Sequence, residues 1–299
     1  MPNFIEVECK TACRRLKRFF PYEYDLNVYR GCEHGCRYCY ALYSHRYINL
    51  DSFFGDIYVK KNIAEVLDRE LSKKTWKRDV INIGSVSDSY QQAEAVYKIM
   101  PEVLEVLTKH RTPCIISTKS DLILRDFDIL AKLAETAAVN VASTITCADE
   151  NIRKKLEPGA VPSQSRFEML KAFNGTKVTT GVHFMPAVPF LTDTPQNIER
   201  ICGGTSECGA DYIITGTLNL RGPTKIMFFE FIKKEYPQLF GPVTGLFATG
   251  RLDREYKRKF YETAYKYVNA YHLSTDYISP LKRNVKQETM RQLSLFDKL

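Results

Sequence analysis

The chain has 299 residues, 44% of them hydrophobic, which is enough to bury one large α/β core or two modest ones. Its formal net charge is +8, from 43 basic and 35 acidic side chains, and this surplus is a weak indication of a polyanionic partner. No apolar run approaches the length of a membrane span, and the first residues do not follow the charged-then-apolar order of a signal peptide. These features argue against a membrane or secreted protein, and we expect a cytoplasmic one.

The beginning of the chain is basic. Five cationic side chains fall within residues 1–20, namely Lys10, Arg14, Arg15, Lys17 and Arg18. Such a run forms either a solvated face or an arm that contacts phosphates, and the sequence leaves both interpretations open. We predict four parts: this basic segment (1–20), a core domain (21–245), a helical extension (246–288) and a tail (289–299).

From residue 22 onward, strand-like and helix-like segments alternate. The predicted strands cover 26–29, 80–84, 113–118, 139–145, 178–185 and 211–215. The predicted helices cover 60–75, 94–110, 121–136, 164–173 and 251–271. Strands that alternate with helices form right-handed βαβ units on a parallel sheet, as a partial barrel or an open sheet, with functional loops at the strand C-termini.

Two helix starts carry specific predictions. Asp121 is expected to cap the helix over 121–136, because its carboxylate can accept from free backbone N–H groups. In the helix over 251–271, Arg251, Arg254 and Arg258 fall at i, i+3 and i+7. That spacing places them on one face, where they could contact the phosphates of a nucleic acid.

The strongest chemical signal is a cysteine-rich loop. Cys32, Cys36 and Cys39 have the spacing C-x3-C-x2-C, with glycines before the first and second. Glycine lets a short loop curl at positive φ, so the three sulfurs can approach one another. Cysteine thiolates in such short runs hold iron–sulfur clusters, and three of them would leave one iron of a [4Fe–4S] cluster open.

Two other interpretations of the loop are a disulfide framework and a zinc site. Disulfide frameworks belong to small secreted proteins, whereas cytosolic thiols stay reduced. A zinc site formed by the three cysteines with His34 is conceivable, although zinc modules usually pair two short ligand spacings. The remaining cysteines are interpreted as structural, although the pairs Cys9/Cys13 and Cys202/Cys208 leave a second cluster open.

The loop resembles the signature of the radical S-adenosylmethionine (radical SAM) superfamily, with Tyr38 and Tyr40 at its aromatic positions. Residues 27–41 are further similar to the spore photoproduct lyase-related group, also described as DNA repair photolyase-like. The similarity continues through Ser87-Asp88, Thr118-Lys119-Ser120, Ser143-Thr144-Ile145 and Glu157-Pro158-Gly159. The resemblance implies a partial (β/α)6 TIM-type barrel with a C-terminal helical extension, a [4Fe–4S] cluster on Cys32, Cys36 and Cys39, and cleavage of S-adenosylmethionine to a 5′-deoxyadenosyl radical.

The resemblance also implies how S-adenosylmethionine is held. Its contacts would come from Tyr40, Ser87, Lys119 and Ser143, with the backbone near Met185 facing the adenine. Lys119 can pair with the cofactor carboxylate, and hydroxyls can bond to its amino and ribose groups. An electron donor such as flavodoxin or ferredoxin is implied as a partner.

One position departs from that group. Where spore photoproduct lyase has a hydrogen-donor cysteine, three residues before Asp88, this chain has Ser85. A hydroxyl O–H bond is much stronger than a thiol S–H bond, so we do not expect spore photoproduct reversal by that route. Three functions remain: a radical enzyme acting on nucleic acid (DNA repair or modification), one acting on a protein, peptide or metabolite, and a non-catalytic cluster or zinc protein that recruits partners.

The tail carries a second short motif, formed by Gln292, Leu293, Ser294, Leu295 and Phe296. It matches the pattern Gln-Leu-(Ser/Asp)-Leu-Phe with which many bacterial proteins bind the DNA polymerase III sliding clamp. An extended peptide of this kind buries two apolar anchors, while a glutamine supplies hydrogen bonds. The alternative is that the apolar side chains fold back onto the body of the protein.

Replacing both anchors, Leu295→Ala with Phe296→Ala, should abolish clamp binding in a titration, because their burial contributes about 3–6 kcal/mol before ordering costs. The double variant should keep its cluster and its stability. If the wild-type tail peptide fails to bind a bacterial clamp, or if the double variant loses stability, the fold-back alternative is favoured.

Overall fold

The computed structural model describes residues 2–16, 22–47 and 52–281. The tail motif over 292–296 lies outside these residues, as do Lys17 and Arg18. The strands are β1 (Asn3–Val7), β2 (Cys13–Arg15), β3 (Tyr24–Leu26), β4 (Tyr29–Arg30), β5 (Asp56–Lys60), β6 (Ile81–Ile83), β7 (Cys114–Thr118), β8 (Val139–Thr144), β9 (Thr179–Ala187) and β10 (Tyr212–Thr217). The α-helices are α1 (Ile63–Leu71), α2 (Gln92–Tyr97), α3 (Ile99–Lys109), α4 (Phe127–Ala134), α5 (Glu150–Leu156), α6 (Ser163–Ala172), α7 (Pro195–Glu207), α8 (Pro223–Glu235), α9 (Phe240–Leu246) and α10 (Arg254–Ala270).

The main sheet is the predicted parallel barrel. Strands β3, β6, β7, β8, β9 and β10 pair in parallel in chain order, and β2 adds an antiparallel edge. Alternate residues of each strand face opposite sides of the sheet. One side packs on the helices through residues such as Val141, Val182 and Ile213, which belong to the main hydrophobic core. The fold is therefore α/β, a partial TIM-type barrel, as the sequence predicts.

A second, smaller sheet was not predicted. It has the order β1-β5-β4, with β1 parallel and β4 antiparallel to β5. Together with β2 on the barrel edge, it ties 3–7 and 13–15 to the core strands. The predicted strand over 26–29 is thereby divided between β3 in the barrel and β4 in the small sheet. The predicted boundaries of the domains stay a prediction.

Two predicted helices differ in detail. The helix over 94–110 is divided at Lys98, which adopts a left-handed conformation with φ 51°. The buried carboxylate of Glu94 accepts from the backbone N–H groups of Ile99 and Met100 and so caps the second helix. The cap predicted at Asp121 is wrong, since its side chain makes no capping hydrogen bond and a 3₁₀ turn, Leu122–Asp126, follows it.

The N-terminal end of the barrel is covered by the segment after α10. The backbone N–H of Ile213 on β10 donates to the carbonyl of Ser274 at 2.8 Å. Leu281 is buried with Ile115 and Ala138, whose strands begin at this end. The described part of the C-terminal extension thus returns beneath the barrel.

A second hydrophobic cluster joins the helices after β10 to the cysteine loop. It contains Cys36 and Tyr38 together with Phe228, Phe231 and Val243 of α8 and α9. The hydroxyl of Thr224 donates to the carbonyl of Cys39 at 2.7 Å. This helical cap, defined as 223–246, therefore packs directly on the loop that carries the cysteines.

In the described part of the chain, no helix combines the length and the apolar character that crossing a membrane requires.

Gly181→Ala should destabilise the barrel. A Cβ atom at Gly181 would lie 2.0 Å from the ring of Tyr212, which is buried against it. Overpacking of this kind costs about 1–3 kcal/mol or more. Urea unfolding of the apo-protein measures the loss.

Gly241→Ala is the matched control, because a Cβ atom there has no neighbour within 4 Å. It should show no loss of stability. Equal effects of the two substitutions would contradict the packing of Tyr212 over Gly181.

Candidate active site

The cysteine loop begins directly after β4 and depends on two glycines. Gly31 has φ +87°, and a Cβ atom on it would lie 2.3 Å from the carbonyl oxygen of Asp56. Gly35 has φ +62°, a conformation that side chains rarely adopt. Cys32 lies between the two glycines and is half-buried. After Gly35, Cys36 is buried and Cys39 is half-buried. The chain therefore turns sharply enough to present its cysteines together.

The three sulfurs lie close enough to influence one another. Burial raises the pKa of the Cys32 thiol, and Asp88, Cys36 and Cys39 raise it further. Coordination to a metal deprotonates a thiol, so such a set suits a cationic cluster that neutralises the sulfurs.

The donor set is not arranged around a single metal ion. Among 2–16, 22–47 and 52–281, no three or more His, Cys, Asp or Glu side chains are grouped as ligands of one metal ion. A [4Fe–4S] cluster makes a different demand, since each cysteine binds a separate iron. The zinc alternative needs His34 grouped with the three cysteines around one ion, and the described residues show no such group. The donor set fits the cluster.

The loop after β6 supports the cysteine loop from one side. The hydroxyl of Ser87 donates to the carbonyl of Gly31 at 2.5 Å, and the side chain of Gln91 accepts from the backbone N–H of Glu33 at 2.8 Å. Asp88 joins the same loop to the end of β7, because it accepts from the hydroxyl of Thr118 and the backbone N–H of Lys119, both at 2.8 Å.

A buried carboxylate supports the loop from the other side. Glu157 accepts from the hydroxyl of Tyr38, the hydroxyl of Thr146 at 2.8 Å and Nη1 of Arg166 at 2.7 Å. Glu157 and Arg166 are both fully buried. Burial alone would raise the pKa of Glu157, but Arg166, Lys119 and the Tyr38 hydroxyl lower it to about 2. The carboxylate therefore stays ionised beside the cysteine loop.

The backbone around Glu157 is bonded to the cysteine loop as well. Arg37 donates its N–H to the carbonyl of Leu156, and Gly159 donates to the carbonyl of His34, both at 2.9 Å. A Cβ atom at Gly159 would lie 2.5 Å from the carbonyl oxygen of Glu33. The Glu-Pro-Gly segment, noted in the sequence as a motif match, thus packs directly against the backbone of the cysteine loop.

Three of the predicted S-adenosylmethionine contacts come together around this loop. Tyr40 donates its hydroxyl to the carbonyl of Ser85, and Ser87 contacts Gly31 as described. Nζ of Lys119 lies 5.9 Å from the centre of the Tyr38 ring. Burial alone would lower the pKa of Lys119, but the Cys36 sulfur and the Glu157 carboxylate outweigh it, so the pKa is raised and the amine is charged.

The other two predicted contacts differ from each other. Met185 is 36% exposed near the end of β9, beside Gly216 of β10. Ser143 is fully buried on the helix-facing side of β8, and its hydroxyl donates to the carbonyl of Thr118 at 3.1 Å. Thr144 takes the interior face instead, because adjacent residues alternate between faces. A cofactor role for Ser143 stays a prediction, but its hydroxyl is bonded within the sheet.

The predicted arginine face is not formed by one helix. Helix α10 begins at Arg254, because the side chain of Asp253 accepts from the backbone N–H of Tyr256 and caps it there. Arg251 therefore precedes the helix. Arg258 lies on the helix but is bonded to the carboxylates of Glu255 and Glu262. The predicted shared face is therefore wrong for Arg251, whereas Arg254 and Arg258 lie four residues apart on α10 and do share a face. Arg251 and Arg254 are exposed.

Sequence reasoning missed Arg166, His183 and Tyr212, and it assigned no role to Glu157. The motif match pointed to the segment of Glu157 but not to its charge partner. Arg166 occupies a buried position of α6 beside Phe167 and Leu170, and a cation at an apolar helix position is the signal that could have found it.

Residues 26–201 match the sequence profile of the radical SAM superfamily, and the chain belongs to this superfamily. An uncharacterized protein of Mycobacterium tuberculosis is 31% identical over 281 residues, covering 92% of this chain and 83% of the relative. An uncharacterized protein of Methanocaldococcus jannaschii is 28% identical over 218 residues, covering 73% of this chain and 78% of the relative.

Among solved structures, a spore photoproduct lyase mutant with bound AdoMet and dinucleoside spore photoproduct has a similar fold. Its TM-score is 0.66 at 12% identity, with 90% of this chain and 79% of that chain covered. As a member of the radical SAM superfamily, the present protein has a [4Fe–4S] cluster and S-adenosylmethionine as its cofactors. Enzymes of this superfamily need an electron donor.

Glu157→Gln should destabilise the apo-protein by about 3–5 kcal/mol, because it leaves the buried cation of Arg166 without a counter-charge. We also expect less iron to be retained after reconstitution, since Tyr38 loses its charged partner. Urea unfolding and iron analysis measure the two effects.

Glu135→Gln is the control, because Glu135 pairs with Lys177 at 2.6 Å on the surface. Exposed pairs contribute about 0–1 kcal/mol. Similar losses of unfolding free energy for the two variants would contradict a larger contribution of the buried pair to stability.

Proposed function

We propose that Cys32, Cys36 and Cys39 hold the [4Fe–4S] cluster and that the enzyme acts on nucleic acid, in DNA repair or modification, rather than in spore photoproduct reversal. When bound and reduced, the cluster supplies the electron that cleaves S-adenosylmethionine and yields a 5′-deoxyadenosyl radical. The observation that carries this proposal is the placement of the cysteine loop, Ser87 and the charged Lys119 at one edge of the parallel barrel. Ligands of such sheets bind at the C-terminal ends of the strands.

The residues around the loop suggest a division of roles. The amine of Lys119 pairs with the carboxylate of S-adenosylmethionine, and charge-assisted contacts of this kind are strong. Tyr40 and Ser87 hold the loops that border the cofactor, while the backbone near Met185 faces the adenine. The helical cap excludes water from the side of Cys36.

Nucleic acid as substrate is supported by the net charge of +8 and the exposed Arg251 and Arg254. The fold likeness to a lyase solved with dinucleoside spore photoproduct adds to this and favours the lyase class. Ser85 argues against reversal of that lesion. Its hydroxyl accepts from Nδ2 of Asn27 at 3.0 Å, and its O–H bond is too strong to quench a carbon radical.

The proposal extends to partners and location. Flavodoxin or ferredoxin would supply the electron in the cytoplasm, and the tail over 292–296 would tether the enzyme to the sliding clamp. Within the proposed four-part division, the core over 21–245 carries the chemistry.

Anaerobically reconstituted enzyme, incubated with deuterated DNA, should transfer deuterium into 5′-deoxyadenosine. Binding to the same DNA should weaken steeply as salt rises, because phosphate contacts release counterions. Mass spectrometry and a salt titration measure the two effects.

Cys36→Ala is the control, since it removes one proposed cluster ligand and should abolish cleavage of S-adenosylmethionine. Deuterium transfer from peptides but not from DNA would instead support a protein substrate. Reversal of spore photoproduct at enzymatic rates would refute the interpretation of Ser85.

A further inference from the structure

Three polar side chains on neighbouring strands form a hydrogen-bonded chain inside the barrel. Nε2 of His183 on β9 lies 3.2 Å from the hydroxyl oxygen of Tyr212 on β10. That hydroxyl lies 2.9 Å from Oδ1 of Asn140 on β8. Gly181 provides the space for the Tyr212 ring, since a Cβ atom there would overlap it.

The direction of each hydrogen bond follows from the atoms involved. An amide oxygen can only accept, so Tyr212 donates its proton to Asn140. The tyrosine oxygen then acts as the acceptor for His183, whose Nε2 must carry a hydrogen. Burial and the charge of Lys119 lower the pKa of His183 to about 4, so the ring is neutral. A neutral imidazole has a single N–H, and Nδ1 therefore bears a lone pair.

The position of His183 in the barrel determines what this lone pair can contact. Its chain neighbours Val182 and Phe184 are fully buried in the main core, so His183 lies on the opposite, interior face of β9. Asn140 and Tyr212 are buried, whereas His183 is half-buried. His183 pairs in register with Thr144, the last residue of β8, at the same edge of the sheet where Lys119 follows β7.

We propose that Nδ1 of His183 is a hydrogen-bond acceptor for the substrate, held in that state by Tyr212 and Asn140, and that it selects substrates presenting an N–H group there. The selectivity rests on the proposed function. In nucleic acid, the ring N–H of thymine, uracil or guanine is such a group, whereas cytosine and adenine offer only the exocyclic amino group beside that ring position. Cytosine and adenine have an unprotonated ring nitrogen at that edge, whose lone pair would face the lone pair of Nδ1.

The tautomer is tested by ¹⁵N NMR of the full-length protein labelled at histidine. The wild-type His183 ring should carry its proton on Nε2. Tyr212→Phe keeps the ring over Gly181 but removes the acceptor, and it should abolish the tautomer preference. His110, whose Nε2 lies 2.6 Å from Asp68, is the internal reference and should not change. An Nδ1–H ring in the wild type would overturn the acceptor assignment.

The selectivity is tested with reconstituted holoprotein and two single-stranded probes of equal length, oligothymidylate and oligocytidylate. Oligothymidylate should bind more tightly by about 2- to 12-fold, the range for one net hydrogen bond. His183→Phe, which keeps a ring but has no hydrogen-bond acceptor, should lose this preference, and thermal unfolding checks that it is folded.

The outcomes separate the two levels of the proposal. A thymidylate preference that survives in His183→Phe would overturn the role of His183. Binding of neither probe to the wild-type holoprotein would overturn the nucleic-acid substrate and the base preference with it. An Nδ1–H ring together with normal probe binding would overturn the acceptor assignment alone.

Discussion

The buried ion pair between Glu157 and Arg166 is the interaction on which the cysteine loop depends. Burying two charges costs several kcal/mol per ion, and this is offset only when their remaining hydrogen-bonding groups are satisfied. Glu157 accepts from the hydroxyls of Tyr38 and Thr146, and Arg166 donates to the carbonyls of Val161 and Thr144, so all but Nη2 of Arg166 are satisfied among the described residues. Tyr38 lies between the second and third cysteines and donates to Glu157, 119 residues later in the chain. The ion pair of Glu157 with Arg166 therefore helps to hold the cysteine loop in place.

The parallel order of the strands explains why so many supports meet at one loop. Strand C-termini of a parallel sheet lie at one edge, so the segments that follow β6, β7 and β8 all reach the cysteines. Ser87 and Gln91 come from the first of these, Lys119 from the second and Glu157 from the third. Each support uses a different chemistry, and the loop is held without a regular strand or α-helix of its own.

The sequence predicted what depends on local periodicity and spacing. The strands of the barrel and the cysteine loop follow from alternation, apolar runs and a short motif. The division between β3 and β4 did not follow, because it depends on pairing with β5, a distant segment. The orientation of Ser143 was not predicted, because its position at a strand end was used without the alternation of faces along β8. Arg251 was placed on a helix because Asp253 was not recognised as the cap that starts it three residues later.

The closed end of the barrel limits how a substrate can approach. Leu281 and the backbone of Ser274 cover the end where the strands begin, and the helical cap packs against the side of Cys36. The open edge is the one that carries exposed apolar side chains, namely Tyr40, Tyr43, Met185 and Phe190. Tyr256 of α10 bonds to Asp193 beside that edge, so the exposed Arg254 at the start of the helix lies on the same side as the cysteines. Under the proposed function, a polyanion bound at this arginine would therefore approach the barrel from the edge at which Lys119 follows β7.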